Sequence, residues 1–312
     1  MAYSLKEINE AVCSDPKGFV EECDAAYNKK IEAAARRIAE NRTKSRIVLL
    51  SGPSGSGKTT TAKKIEAKLE EMGIQSHAIS MDNYFQTVDP ETAPRNREGL
   101  IDYESPFCLD MDLLNRHFKM LDQGEKIHIP KFEFARQMRS AIHSNPLHLG
   151  KDEIAIFEGI HALNDIITGK NPKAFKLYIS ARSNITDENG QVVFKGTWLR
   201  LARRTVRDAK FRAWEPQVTM KMWSDVRRGE KLYISPFKDN ADIMFDSSLP
   251  YEVCAIKPFA LPLFQQLKPE MERYEEIGHL LGAYPLFETL EESCVAPDSL
   301  IREFIGGGIY DD

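Results

Sequence analysis

The sequence predicts an α/β fold, a parallel sheet flanked by helices. Three observations predict it. Short apolar runs of strand length recur at Arg46–Leu50, Ser76–Ser80, Ile154–Phe157 and Phe175–Ser180. Helical patterns separate them, and strands alternating with helices read as βαβ units with helices on both faces. The first run leads into Gly52-Pro53-Ser54-Gly55-Ser56-Gly57-Lys58-Thr59-Thr60, which opens a helical stretch. That strand–loop–helix context is the one in which G-x-x-x-x-G-K-[ST] marks a phosphate-binding loop, so the sheet is predicted to be of the P-loop NTPase type.

Taken in order, residues 1–45 read as helical. Asn28–Arg42 is rich in Ala, Glu, Lys and Arg and keeps Ile31, Ala34, Ala35 and Ile38 on one face. Strand Arg46–Leu50 and helix Gly57–Met72 follow, with Gly73 as the stop. Strand Ser76–Ser80 ends at Met81-Asp82-Asn83-Tyr84-Phe85. Residues 86–107 carry Pro90, Pro94, Gly99 and Pro106 and read as surface loops. Asp110–Leu121 is an amphipathic helix closed by Gly124. Lys126–Phe134 alternates like an edge strand, and residues 140–148 return antiparallel, giving a β-hairpin substrate element. Ile154–Phe157 is a buried strand leading into Glu158-Gly159-Ile160. After strand Phe175–Ser180 and a turn at Asp187–Gly190 come helices Trp198–Phe211 and Val218–Arg228, then strand Ala241–Phe245. From Lys257 the chain reads as mostly helical with proline breaks, ending in a flexible Gly306-Gly307-Gly308. The expected division is an N-terminal helical extension (1–45), a core (46–256) and a C-terminal helical extension (257–312).

Composition narrows the function. The 312 residues are 42% hydrophobic, enough for one large α/β domain with extensions or for two small domains. A formal charge of −5 gives no basic excess, which excludes nucleic acid as the main partner. Cys13, Cys23, Cys108, Cys254 and Cys294 are scattered and form no C-x-x-C pair, as suits small buried hydrophobes in a reducing cytoplasm. The first residues lack the apolar core of a signal peptide, and no apolar run is long enough to span a membrane. The expected location is cytoplasmic.

The motifs carry the chemistry. The glycines of Gly52–Thr60 let backbone N–H groups turn around a polyphosphate, and the helix N-terminus adds partial positive charge. Lys58 would reach the β- and γ-phosphates, and the Thr59 hydroxyl would ligate Mg²⁺. In parallel sheets ligands bind beyond the carboxyl ends of the strands, which brings Asp82 and Glu158 to the same edge. Asp82 could take the proton of an attacking hydroxyl and help hold Mg²⁺, or simply cap a turn. Glu158 after Ile-Ala-Ile-Phe either has the form of a Walker-B acid, which would hold Mg²⁺ directly or through water, or is an ordinary strand-end acid. Arg200, Arg203, Arg204 and Arg207 fall at i, i+3, i+4 and i+7, all on one helix face beside the apolar Leu199, Ala202, Val206 and Ala209. Such a face is expected to be an Arg-rich lid over the triphosphate. Tyr84, Phe85, Tyr103, Phe132 and Phe134 could wall an acceptor pocket or simply pack, and Trp198, Trp214 and Trp223 are expected to pack.

These motifs, in this order, resemble the uridine kinase/phosphoribulokinase family of P-loop kinases. The resemblance rests on Gly52–Thr60, Asp82-Asn83-Tyr84-Phe85, Glu104-Ser105-Pro106-Phe107, Pro130-Lys131-Phe132-Glu133-Phe134, Phe157-Glu158-Gly159-Ile160 and Arg200–Asp208, spanning about residues 45–250. Arg227–Glu230, Asn240–Phe245 and Leu300–Gly307 are similar to bacterial uridine-kinase-like proteins that often carry an N-terminal threonyl-tRNA-synthetase-like domain. Only residues 1–45 precede the core here, so that domain is expected to be absent. The resemblance implies transfer of the ATP γ-phosphate to the 5′-hydroxyl of a nucleoside. It casts Asp82 as general base, Glu104 as holder of the ribose hydroxyls in place of an Asp, and Phe132 and Phe134 as the aromatic pair of the base pocket. Arg139 matches a nearby Arg, and Arg203 and Arg207 match lid arginines. Gln137 stands where uridine–cytidine kinases place a pyrimidine-reading His, and Phe132 where they place its Tyr partner. Changing those hydrogen-bonding groups changes what the pocket selects. Related kinases often assemble, so the resemblance extends to a homo-oligomer.

The expectation is therefore an ATP- and Mg²⁺-dependent kinase of a small-molecule hydroxyl. The alternatives are a kinase of another acceptor, such as a sugar phosphate or other alcohol, a nucleotide-dependent regulatory switch without acceptor, and a degenerate kinase that only binds. Asp82 on the acceptor side and the absence of an N-K-x-D guanine-reading motif argue against the switch.

Overall fold

The computed structural model describes residues 2–133, 136–142, 146–271 and 273–310. In chain order the elements are β1 (Ala2–Ser4), α1 (Leu5–Ser14), α2 (Pro16–Asn41), β2 (Ile47–Ser51), α3 (Lys58–Glu71), β3 (Ser76–Ser80), α4 (Met111–Asp122), β4 (Ile127–His128), β5 (Phe132–Glu133), β6 (Met138–Arg139), β7 (Pro146–Leu147) and β8 (Ile154–Glu158). There follow α5 (Asp165–Thr168), β9 (Phe175–Ser180), β10 (Asn184–Thr186), β11 (Val192–Phe194), α6 (Gly196–Arg212), α7 (Pro216–Gly229), β12 (Ile243–Asp246), α8 (Glu252–Phe264), α9 (Tyr274–Ala283) and α10 (Arg302–Ile305).

The expected parallel sheet is present, in the order β12-β9-β2-β8-β3 with every pair parallel. Strand β2 shows why its sequence is apolar throughout. Val48 and Leu50 enter the hydrophobic cluster on one face, and Ile47 and Leu49 the cluster on the other. A strand with helices on both faces has no polar side. The register pairs Leu50 and Ser80 with Glu158, so β2, β3 and β8 end level. The segments that follow them therefore start from one edge.

The terminal segments pack into the cluster that holds α3 and α6, through Ile8, Val12, Tyr27 and Ile31 at one end and Leu300, Phe304 and Ile305 at the other. Tyr251 ties them together: its hydroxyl donates to Asp24 Oδ1 (2.8 Å) and lies 2.7 Å from Ser299 Oγ.

Four expectations about elements are corrected. The first residues form strand β1, paired parallel with β10, and helix begins only at Leu5, capped by Ser4. A three-residue strand is too short to show a period. The hairpin forms as two short ladders, Ile127–His128 with Pro146–Leu147 and Phe132–Glu133 with Met138–Arg139. Its return arm starts at Met138, ahead of the expected residue 140. Pro258 and Pro262 lie inside α8 instead of breaking it. Proline at 258 removes the donor for the Cys254 carbonyl, and Leu290 N–H supplies a replacement at 3.1 Å. Finally, Gly306 is buried and closes α10, its N–H donating to Arg302 O at 2.8 Å.

Candidate active site

The loop between β2 and α3 is shaped by two constraints. Gly55 and Gly57 have φ of 73° and 80°, which side chains resist. At Gly52 a Cβ would stand 2.0 Å from the Ile179 carbonyl oxygen, so the backbone of β9 excludes any side chain there. Lys58 opens α3, and its Nζ folds back toward Pro53 O at 3.4 Å. The Thr59 hydroxyl points at Glu158 Oε1, 3.4 Å away.

Asp82 lies in a single helical turn after β3, with its N–H on Ser80 Oγ at 3.3 Å. Asp82 and Glu158 both face Lys58. Burial raises the Asp82 carboxyl, and Lys58 most strongly, then Arg212 and Arg207, oppose it. Burial likewise pushes Glu158 up to about 7, with Lys58 lowering it and Asp82 raising it. Two carboxylates thus lie in the field of one ammonium, and the Thr59 hydroxyl stands beside Glu158.

Helix α6 divides its arginines, which corrects the expectation that all four cover the triphosphate. Arg204 and Arg207 line the cavity in front of the loop, joined by Arg212. Arg200 and Arg203 stand behind the loop and do not line that cavity. Arg200 donates to Ser54 O (3.1 Å) and grips Glu230 with both terminal nitrogens. Arg203 is fully buried, donates to Gly55 O (3.0 Å) and Ser247 O (2.9 Å), and pairs with Glu252. Arg204 reaches Ser54 Oγ at 2.9 Å. Buried Asp208 gathers Arg204 (3.3 Å), Arg207 (2.9 Å) and Arg212 (3.2 Å).

From Lys58 and Asp82 the cavity, about 560 Å³, runs on past Phe85, Tyr103, Glu104, Phe132, Gln137 and Trp214. Burial lifts the Glu104 carboxyl to about 7, with Arg204 opposing. Its seat depends on Gly229, the last residue of α7, where a Cβ would lie 2.4 Å from Glu104 Cβ. Asp102 sets the loop: it accepts from Arg228 (2.7 and 3.1 Å) and Tyr233 Oη (2.8 Å), and its Oδ1 accepts Glu104 N–H at 3.2 Å. Burial works against Asp102, yet those hydrogen bonds hold it below the usual carboxylate range.

The model of the phosphoribulokinase/uridine kinase family matches residues 47–253, well over half of the chain. The chain belongs to that family. A uridine kinase of Staphylococcus aureus (strain JH9) is 30% identical over 199 residues, covering 64% of this chain and 86% of its own. A uridine kinase of Halobacterium salinarum is 26% identical over 196 residues, 62% of this chain and 77% of its own. A phosphoribulokinase structure from Rhodobacter spheroides aligns at 15% identity and TM-score 0.43, over 66% of this chain and 74% of that one. These names belong to the relatives.

Within this phosphoribulokinase/uridine kinase scaffold, Ser54, Gly55, Gly57, Lys58, Thr59, Asp82, Glu158, Arg204, Arg207, Tyr103, Glu104, Phe132 and Gln137 line one cavity. Two predicted acceptor residues are placed elsewhere. Tyr84 is fully buried with its hydroxyl 2.9 Å from His117 Nδ1, so it packs. Arg139 donates to Tyr84 O (2.9 Å), Phe85 O (3.2 Å) and Asp110 Oδ2 (2.9 Å), bracing the segment that carries Asp82. Phe134 lies outside the described residues. Trp214, expected to pack, lines the cavity instead, because Ala213 turns left-handed (φ 52°) at the end of α6. Glu303, Arg212 and Met222 also line it and were not singled out from sequence. Arg212 lies five residues beyond Arg207, about 140° round the helix and off the arginine face, so the spacing did not mark it; it reaches the cavity beside Asp208, its partner one turn earlier.

Proposed function

We propose that this kinase-family chain transfers the γ-phosphate of ATP to a hydroxyl of a small molecule, most simply the 5′-hydroxyl of a nucleoside. One observation carries the reading: Lys58, Thr59, Asp82 and Glu158 line the same cavity as the aromatic Phe85, Tyr103, Phe132 and Trp214 and the acid Glu104. The hydroxyl of Thr59 and the carboxylates of Asp82 and Glu158 are hard oxygen donors, both acids are raised by burial, and together they fit a divalent cation. They would hold Mg²⁺, which when bound neutralises phosphate charge.

The chain's own residues supply the rest. Asp82 orients the acceptor hydroxyl and takes its proton. Lys58, the loop N–H groups, Arg204 and Arg207 balance charge that develops on the transferred group. Arg200 and Arg203 keep the loop carbonyls in place behind it. Glu104 stands where a pair of ribose hydroxyls would be held, and Phe132 offers a ring to a base. Gln137 and Phe132 in place of a His and a Tyr favour a second reading, a different hydroxyl acceptor on the same donor site.

No helix among the described residues is long and apolar enough to cross a membrane. We place the kinase in the cytoplasm, acting on a free metabolite, and propose that it assembles as a homo-oligomer. ATP consumption measured with a panel of nucleosides and sugars, with products read by mass, tests the reading. Transfer to a nucleoside supports it. ATP hydrolysis indifferent to every acceptor identifies a switch, and no turnover identifies a binding protein.

A further inference from the structure

The first turn of α3 should present its free N–H groups to phosphate. One of them is already taken. Glu303 Oε2 accepts from Thr60 N at 3.0 Å and from Thr60 Oγ1 at 2.7 Å. The carboxylate also lines the same cavity as Lys58, Thr59 and Glu158. It comes from α10, far away in the chain, so local sequence does not put it there.

Packing delivers it. Leu300, Ile301, Phe304 and Ile305 flank Glu303 and are all buried. The Leu300 side chain presses on Gly57, where a Cβ would stand 2.7 Å from Leu300 Cδ1. The Arg203 guanidinium lies over the Phe304 ring at 5.0 Å. The backbone of α10 is thus fixed against the loop, while Glu303 itself is only partly buried. Its negative charge also adds to the pressure on Glu158, which it raises.

We propose that Glu303 is an internal competitor of the donor nucleotide: its carboxylate occupies the Thr60 amide until a phosphate oxygen displaces it. The inference rests on the reading of Gly52–Thr60 as the donor site. It makes donor binding an exchange of one anion for another, with a weaker net affinity than the loop alone would give and faster release of the product diphosphate.

Equilibrium binding of ATP, ADP and adenosine to the full chain and to Glu303→Gln, Glu303→Ala and Lys58→Ala variants tests it. Removing a charge-assisted contact that must be broken should tighten ATP and ADP by about tenfold or more in both Glu303 variants. Adenosine, which has no phosphate, should bind them as it binds the parent chain. ATP affinity unchanged or weaker in Glu303→Gln, with a lowered Tm, overturns the proposal and leaves Glu303 a helix cap. Absence of ATP binding by every chain, with Lys58→Ala no different from the parent, removes the donor site itself and the inference with it.

Discussion

Asp82 and Glu158 face one ammonium, Lys58, and burial holds both above their ordinary values. Positioned base catalysis contributes a factor of about 100 to 10,000. Asp82→Asn should therefore lower kcat by at least about a hundredfold, with ATP binding near that of the parent chain; unchanged turnover would remove Asp82 from the chemistry. Glu104 offers a separate test through its neighbour. Gly229→Ala puts a methyl 2.4 Å from Glu104 Cβ, and something must shift. The expected outcome is a KM for the acceptor raised about tenfold or more, with the KM for ATP unchanged, since a small misplacement in a binding group costs this much. An equal change in both constants would show that Glu104 does not belong to the acceptor half. Asp82 and Glu158 were legible because one closely follows a strand and the other ends one, and register alone brings strand ends together. Glu303 was not, since it meets Thr60 only through tertiary packing.

At the scale of the element, helix α6 shows what periodicity can and cannot say. Spacing of i, i+3, i+4 and i+7 puts four arginines on one face. It does not say where along that face the loop lies. Arg200 and Arg203 meet Glu230 and Glu252, acids supplied by the residues after α7 and by the first turn of α8, and become the buried half. Arg204 and Arg207 meet the cavity. Breaking a buried pair strands the other charge and costs about 3–5 kcal/mol. Arg203→Ala should lower stability by that amount in denaturant unfolding and weaken ATP binding through loss of the Gly55 carbonyl contact. Glu252→Gln should reproduce most of the loss of stability. A variant at Arg203 with parent stability and lost transfer would instead mark a direct role on phosphate. The phosphate loop was legible because its left-handed glycines and its strand–loop–helix context are local, whereas the contacts from β9, α6 and Leu300 that brace it were not.

For the molecule as a whole, Glu104 and Glu158 give stability a pH dependence. Both are held near 7 in the native fold, against an ordinary value of 4.5. Between those values the native state binds the extra protons, so their contribution favours folding at low pH and is lost as pH rises through about 7. Glu104→Gln removes one of the two groups. The stability of the parent chain minus that of the variant should therefore fall between pH 5 and pH 8, by on the order of 2 kcal/mol. Urea unfolding across that range measures it, and a difference that climbs with pH would contradict the assignment. The parallel direction of the strands was readable from the alternation of strands and helices, and their order was not. The short pairing of β1 with β10 was not, as only the folded chain brings residues 2–4 to residues 184–186.

The order β12-β9-β2-β8-β3 also sets a clock. Strand β2 sits at the centre, and neither of its partners is near it in the chain: β8 starts at Ile154 and β9 at Phe175. Loop-closure entropy must be met before either contact helps, so such sheets assemble slowly. During synthesis Ile47–Ser51 leaves the ribosome as an apolar strand with both edges open, and it stays so until β8 and β9 have been made. The stretch that will hold the phosphate loop is, for that interval, the part of the nascent chain most exposed to pairing with the wrong strand.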